Sequence, residues 1–140
     1  MPGPVGAQPM TIFQVAGRAM SAQLVRMNTT ASNLANAGGV SGSAETAYKT
    51  MKPVFRTQFD AATGLSTVDV QSIVTAGEAP TKRYDPANPQ ADKDGNVFEA
   101  AVDETRELVD MMETARAYQN NVEVMQTAKS LVIDTLKLGR

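Results

Sequence analysis

Asp92, Asp94 and Asn96 stand at the spacing of ligand positions one, three and five of a calcium-binding loop. Nothing else in the chain comes nearer to a reactive constellation. Position six, where such loops need glycine for a sharp turn, is Val97, and position twelve is Asp103 rather than a bidentate glutamate. The run Asp92-Lys93-Asp94-Gly95-Asn96 therefore reads as an Asp-Gly turn whose side chains bond local backbone. The chain has no His and no Cys among its 140 residues. That removes imidazole bases, thiol nucleophiles, disulfides and the usual zinc and haem ligands together. Neither G-x-G-x-x-G nor a P-loop occurs, and a di-metal carboxylate site would need Glu-x-x-His pairs. Carboxylates and lysines remain, without a convergent motif to make them catalytic. The expectation is a non-enzymatic chain with no cofactor and no metal.

If the residues do no chemistry, their pattern must serve packing. Hydrophobic residues are 42% and charged residues 20%, enough for a folded core, but aromatics are only 5% with no Trp. A core of Ala, Val, Leu and Met suits helix on helix. A formal net charge of −2 gives no reason to invoke nucleic acid or an acidic membrane surface. No stretch approaches the ~18 apolar residues that span a bilayer, so direct membrane insertion is not expected. Residues 1–10 are Pro/Gly-rich and uncharged, and read as a flexible leader rather than a cleaved secretory signal.

Residues 11–36 read as a helix capped by Thr11, with Phe13, Ala16, Met20, Gln23, Met27, Thr30 and Leu34 at the alternating three- and four-residue steps of a coiled-coil seam. Its only charges are Arg18 and Arg26, and it should end near Asn36, Gly38 and Gly39. Residues 37–100 lose that period and predict a small, irregular β-rich insert. Val54 to Phe59 and Leu65 to Val74 read as strands joined by an Asp60–Gly64 turn, with Val68, Val70, Ser72 and Val74 on one face. Pro80, Pro86 and Pro89 make residues 81–90 turns or extended chain rather than a central strand. Val97 to Ala101 adds a short extended piece.

Residues 101–140 carry the clearest element, a helix over 101–138 capped by Asp103. Ala101, Leu108, Ala115, Val122, Lys129 and Leu136 recur every seventh residue, interleaved with Glu104, Met111, Tyr118, Met125 and Val132. At ~1.5 Å per residue this helix reaches ~55 Å and the first only ~39 Å. The surplus apolar surface needs neighbours. The fold class expected is mainly α with a β-rich insert, its terminal helices pairing as a coiled coil that packs into a helical tubular assembly. The candidate assembly interface is Phe13, Met20, Met27, Asn33, Leu34 and Asn36 on the first helix. On the last it is Leu108, Met111, Ala115, Tyr118, Val122, Met125, Val132 and Leu136. Asn33 and Asn36 are expected to bond backbone or neighbouring amides where the helix ends. A small helical adaptor or chaperone-like module of a secretion system is the alternative, and would need a bundle sufficient in itself.

Ala31-Ser32-Asn33-Leu34-Ala35-Asn36, preceded by Ala22-Gln23 and Arg26-Met27-Asn28, resembles the signature of the bacterial flagellar rod, hook and hook-associated proteins. Arg116-Ala117-Tyr118-Gln119-Asn120-Asn121-Val122-Glu123-Val124, Thr127-Ala128-Lys129 and the ending Thr135 to Arg140 resemble the rod branch of that family. Tyr84-Asp85-Pro86 through Gly95 is similar to its turn region. The sequence departs from the pattern at Ala37-Gly38-Gly39-Val40, with the tyrosine delayed to Tyr48, and at Asn121 in place of a common Ala. The resemblance implies a structural subunit exported by the flagellar type III apparatus without a cleaved signal peptide. It implies polymerisation into the hollow rod that crosses the periplasm. Its implied partners are copies of itself, other rod subunits, and rod-base and export-apparatus proteins.

Overall fold

The computed structural model describes residues 11–139; the leader expected at 1–10 lies outside them. Two helices pack on each other, and the segment that joins them forms two antiparallel sheets. Helix α1 spans Ile12–Ala35. Thr11 Oγ1 accepts from the Gln14 N–H at 3.2 Å while Gln14 Oε1 accepts from the Thr11 N–H at 3.0 Å, a reciprocal capping box that satisfies two orphan donors. At its other end Asn36 Nδ2 donates to the Ser32 carbonyl at 2.8 Å, and Gly38 takes φ +74° to turn the chain away.

Between the helices lie β1 (Val40–Ser41), β2 (Met51–Asp60), β3 (Leu65–Thr75), β4 (Thr81–Tyr84) and β5 (Asn96–Glu99). β1, β5 and β4 form one sheet with β5 in the middle, and β2 and β3 form a separate hairpin. Val97 on β5 is fully buried. Thr81–Tyr84 is thus a strand, but an edge one with every residue exposed, which is where a proline-flanked segment is tolerated. Asp92 Oδ1 accepts from the N–H groups of Asp94 and Asn96 at 2.9 and 2.8 Å, so its carboxylate is committed to a local turn that Gly95 closes at φ +79°.

The hairpin turn falls at Asp60–Gly64, where Gly64 donates back to Asp60 at 2.8 Å. The single face expected for Val68, Val70, Ser72 and Val74 does not form. Val54 pairs with Ser72 and Phe55 with Val70, leaving Gln71 as an extra residue in β3. Adjacent Val54 and Phe55 point to opposite faces, and so therefore do their partners. The bulge re-aims the half of β3 beyond it.

Helix α2 spans Glu104–Leu138, with Asp103 accepting from the Arg106 N–H at 3.1 Å and Glu104 and Glu107 in the first turn, where the helix dipole favours acids. It starts three residues later than the Ala101 to Leu136 repeat implied, because Asp103 is the cap. α1 and α2 pack side by side and antiparallel: Asn33 meets Glu107, Arg26 meets Asp110 and Glu113, and Ile12 sits against the stretch from Asn120 to Val132. Fully buried apolar side chains are few and small, with Ala16, Ala22, Ala47 and Ala100 beside Val97. The chain exposes 9695 Å². A compact monomer of its mass would expose about 7,000 Å². Large apolar side chains are left outside on both helices and the hairpin, among them Leu24, Ile73, Leu108, Met112, Leu131 and Leu136.

Candidate functional site

Two features of the helix pair stand out: a buried polar anchor at one end and an uncovered apolar stretch at the other. The anchor is Asn33, 1% exposed. Its Nδ2 donates to the Met51 carbonyl at 2.9 Å and to Glu107 Oε2 at 3.0 Å. Its Oδ1 accepts from the Met51 N–H at 3.0 Å and from the Tyr48 hydroxyl at 2.6 Å. All four hydrogen-bonding positions of the amide are filled. Met51 receives from the side chain the paired N–H and C=O contacts that a neighbouring strand would give it, so the amide stands in for a strand where β2 begins. Ser32 Oγ lies 3.2 Å from the same tyrosine hydroxyl. The Ser32-Asn33 pair thus ties α1, α2 and the insert together, and the tyrosine displaced to position 48 is the residue that completes the tie.

Electrostatics align the rest. α1 has no acid, and both of its arginines reach outward to one: Arg18 to Asp69 on the hairpin at 3.6 Å, Arg26 to Asp110 and Glu113 on α2 at 3.5 and 3.7 Å.

The α2 residues turned toward α1 do not follow the expected seam throughout. Glu107 and Thr114 are buried, and Met111, Tyr118, Asn121, Met125 and Ala128 are half-buried in line with them. Met111, Tyr118 and Met125 hold the centre, and Ala115 and Val122 flank it. Leu108 at 53% exposure and Leu136 at 68% lie off that line, while Val132 borders Ile12 at the start of α1. The reason is steric and polar. The buried residues of α1 are Ala16, Ala22, Thr29, Thr30 and Asn33, small or polar groups that admit close approach and ask for hydrogen bonds rather than leucines. On α1, Phe13, Met20, Met27 and Leu34 are half-buried and Asn36 is exposed, capping the helix as expected.

The two helices differ by eleven residues, and the difference projects past Ile12. From Lys129 to Gly139 every residue is exposed, including Leu131, Val132, Ile133, Leu136 and Leu138. Where this overhang begins, Ile12, Val124, Ala128, Leu131 and Val132 line an open groove of about 630 Å³. The exposed Phe59 at the hairpin tip adds to the uncovered apolar surface. Among the described residues no group of three or more His, Cys, Asp or Glu is placed to hold a metal ion, and no helix is long and apolar enough to cross a membrane.

The two helices are also the segments with known counterparts. Residues 13–42 match the family Flagella basal body rod protein, and residues 94–138 match Flagellar basal body rod FlgEFG protein C-terminal. The chain is 44% identical to the flagellar basal-body rod protein FlgC of Salmonella typhimurium over 134 residues, covering 94% of this chain and 98% of that one. Its likeness to the FlgC of Escherichia coli O157:H7 is 44% with the same coverage, and to that of Yersinia enterocolitica 39%, again over 94% and 98%. A shared helix pair and a match along nearly the whole length place this chain in the FlgC family of flagellar basal-body rod proteins, as a structural subunit of the rod and not an enzyme.

Proposed function

We propose that the chain polymerises through its terminal helices into the hollow shaft of the rod, the α2 overhang of each subunit being covered by its neighbours. The observation that carries this reading is the apolar surface of residues 129–139, every one of which is exposed. The coiled-coil geometry expected of the seam belongs to this assembled state, in which exposed Leu108, Val132 and Leu136 supply further contact surface. Partners are copies of the chain and other rod subunits, with rod-base and export-apparatus proteins met on the way. The rod's place in the periplasm, and export through the type III channel without signal cleavage, follow from the same reading. Association then supplies the free energy that offsets ordering of the thinly packed segments.

Leu136→Asp separates folding from assembly. Leu136 is 68% exposed, so the purified variant should melt within about 0.5 kcal/mol of the parent. In a motile strain carrying only the variant, swimming should be lost and the subunit missing from isolated basal bodies. Normal swimming by that strain would remove the overhang from the interface.

A further inference from the structure

We infer that the furrow between α1 and α2, on the side away from the hairpin, receives the α2 overhang of a second copy, an inference that rests on the rod-subunit reading. The two sides of the helix pair differ. One carries the ion pairs from Arg26 to Asp110 and Glu113. The hairpin lies on that side too, where Arg18, Ala22 and Val25 share a groove with Asp69 and Val70. At ~100° per residue, Phe13, Met20 and Leu24 stand ~120–160° round α1 from Arg26. Leu108, Met112 and Val122 stand ~100–180° round α2 from Asp110 and Glu113. The line of α2 that meets α1, through Thr114 and Tyr118, runs between the two stripes. The second side is therefore a furrow walled by uncharged side chains. On it Leu24, Leu108 and Met112 are 44%, 53% and 72% exposed.

A helix lying in such a furrow touches both walls, so it needs an apolar arc wider than half its circumference. From Ser130 to Leu138 the overhang has one, and every residue of it is exposed. Leu131, Val132, Ile133, Leu136 and Leu138 sweep ~220°, while Ser130, Asp134 and Lys137 fall within ~60° on the other side. Seated with the apolar arc inward, residues 130–138 keep both their charges in water and bury none of their partner's. The chain's other exposed apolar groups fit less well. The hairpin would bring Arg56 and Asp60 with Phe59, and the groove beside Ile12 is itself concave and holds Glu123. A stub ~14 Å long covers far less than the ~800 Å² a side of a stable pair. The contact thus holds among many subunits rather than in a free dimer. Furrow and overhang are different surfaces, so it repeats without closing.

A photo-crosslinking phenylalanine derivative in place of Met112, made alongside the unsubstituted chain in a motile strain, identifies the occupant directly. Irradiated basal bodies should yield a product of twice the chain's mass, joined to residues 130–138. The same chain's overhang is out of reach, since Ser130 lies ~27 Å further along α2. A dimer joined furrow to furrow, a product with another rod protein, or no product overturns the inference. Leu24→Glu then adds a charge to the opposite wall. Leu24 is 44% exposed, so the purified variant should melt within about 3 °C of the parent. Its recovery in basal bodies should fall at least tenfold. Unchanged recovery overturns the inference, as does a melt lowered by more than about 5 °C, which would show Leu24 serving the monomer. Absence of the unsubstituted chain from basal bodies would instead strike the rod reading itself.

Discussion

Replacing Asn33 by Asp exchanges one nitrogen for oxygen and leaves the volume unchanged, yet the structure assigns it a heavy cost. The Met51 carbonyl and Glu107 Oε2, now 2.9 and 3.0 Å from a donor, would face a second acceptor instead. Two buried acceptors left without donors cost about 1–3 kcal/mol each. Two carboxylates about 3 Å apart repel by about 5 kcal/mol at an effective dielectric near 20, before the side chains relax. A net loss of at least about 4 kcal/mol follows, a large part of the roughly 5–15 kcal/mol that holds a domain together. For a chain of this length that corresponds to a fall of roughly 12 °C or more in melting temperature. Asn33→Ala removes the same bonds but adds no charge and leaves room for water, so it should cost less, about 2–3 kcal/mol. Thermal and urea unfolding of the three proteins, followed by circular dichroism, gives the ranking directly. If Asn33→Asp melts within a few degrees of the parent, or above Asn33→Ala, the amide does not hold the junction as described.

Three further outcomes are expected from the same measurements. Arg26→Ala should lose about 0.5–1.5 kcal/mol, because its bridges to Asp110 and Glu113 are partly exposed, and the loss should shrink between 0.05 and about 0.5 M salt. Gly95→Ala should cost about 2 kcal/mol or more: φ is +79° and an added Cβ would meet Tyr84 Cε2 at 2.9 Å and Pro86 Cβ at 3.1 Å. A melt unchanged in that variant would mean the turn rearranges freely. Hydrogen exchange on the dilute chain should show slow amides around Asn33 and from Glu107 to Tyr118, with fast exchange from Lys129 onward. Uniform protection along α2 would contradict the burial gradient.

The ends of the helices were written in local residue types. Thr11 with Gln14, and Asp103 ahead of two acids, are capping patterns whose partners lie within three residues, and such signals survive folding unchanged. The hairpin was equally plain from Asp60 to Gly64, though not the Gln71 bulge, which depends on how two strands choose to pair. A heptad marks apolar positions without saying which of them meet α1 and which are left for neighbours. Leu108 and Leu136 fit a heptad, but the face that meets α1 runs through Glu107, Thr114 and Asn121. Its interior is built on small groups and hydrogen bonds, and the leucines point outward. Asn33 reads from the sequence only as a residue near a helix end. Its partners Tyr48, Met51 and Glu107 are up to 74 positions away, and no spacing rule connects them.

The overhang carries one more consequence, in its angular distribution. At ~100° per residue, Leu131, Val132, Ile133, Leu136 and Leu138 spread their side chains over most of the helix's circumference, with Ser130, Asp134 and Lys137 confined to the remaining arc. An apolar arc that wide cannot be dried by laying the helix against a single flat surface, since its far edge stays in water. Pairing two copies would therefore leave the problem unsolved. Only enclosure from several directions removes it, so the geometry of one short stub already disfavours a closed dimer and favours a many-membered bundle.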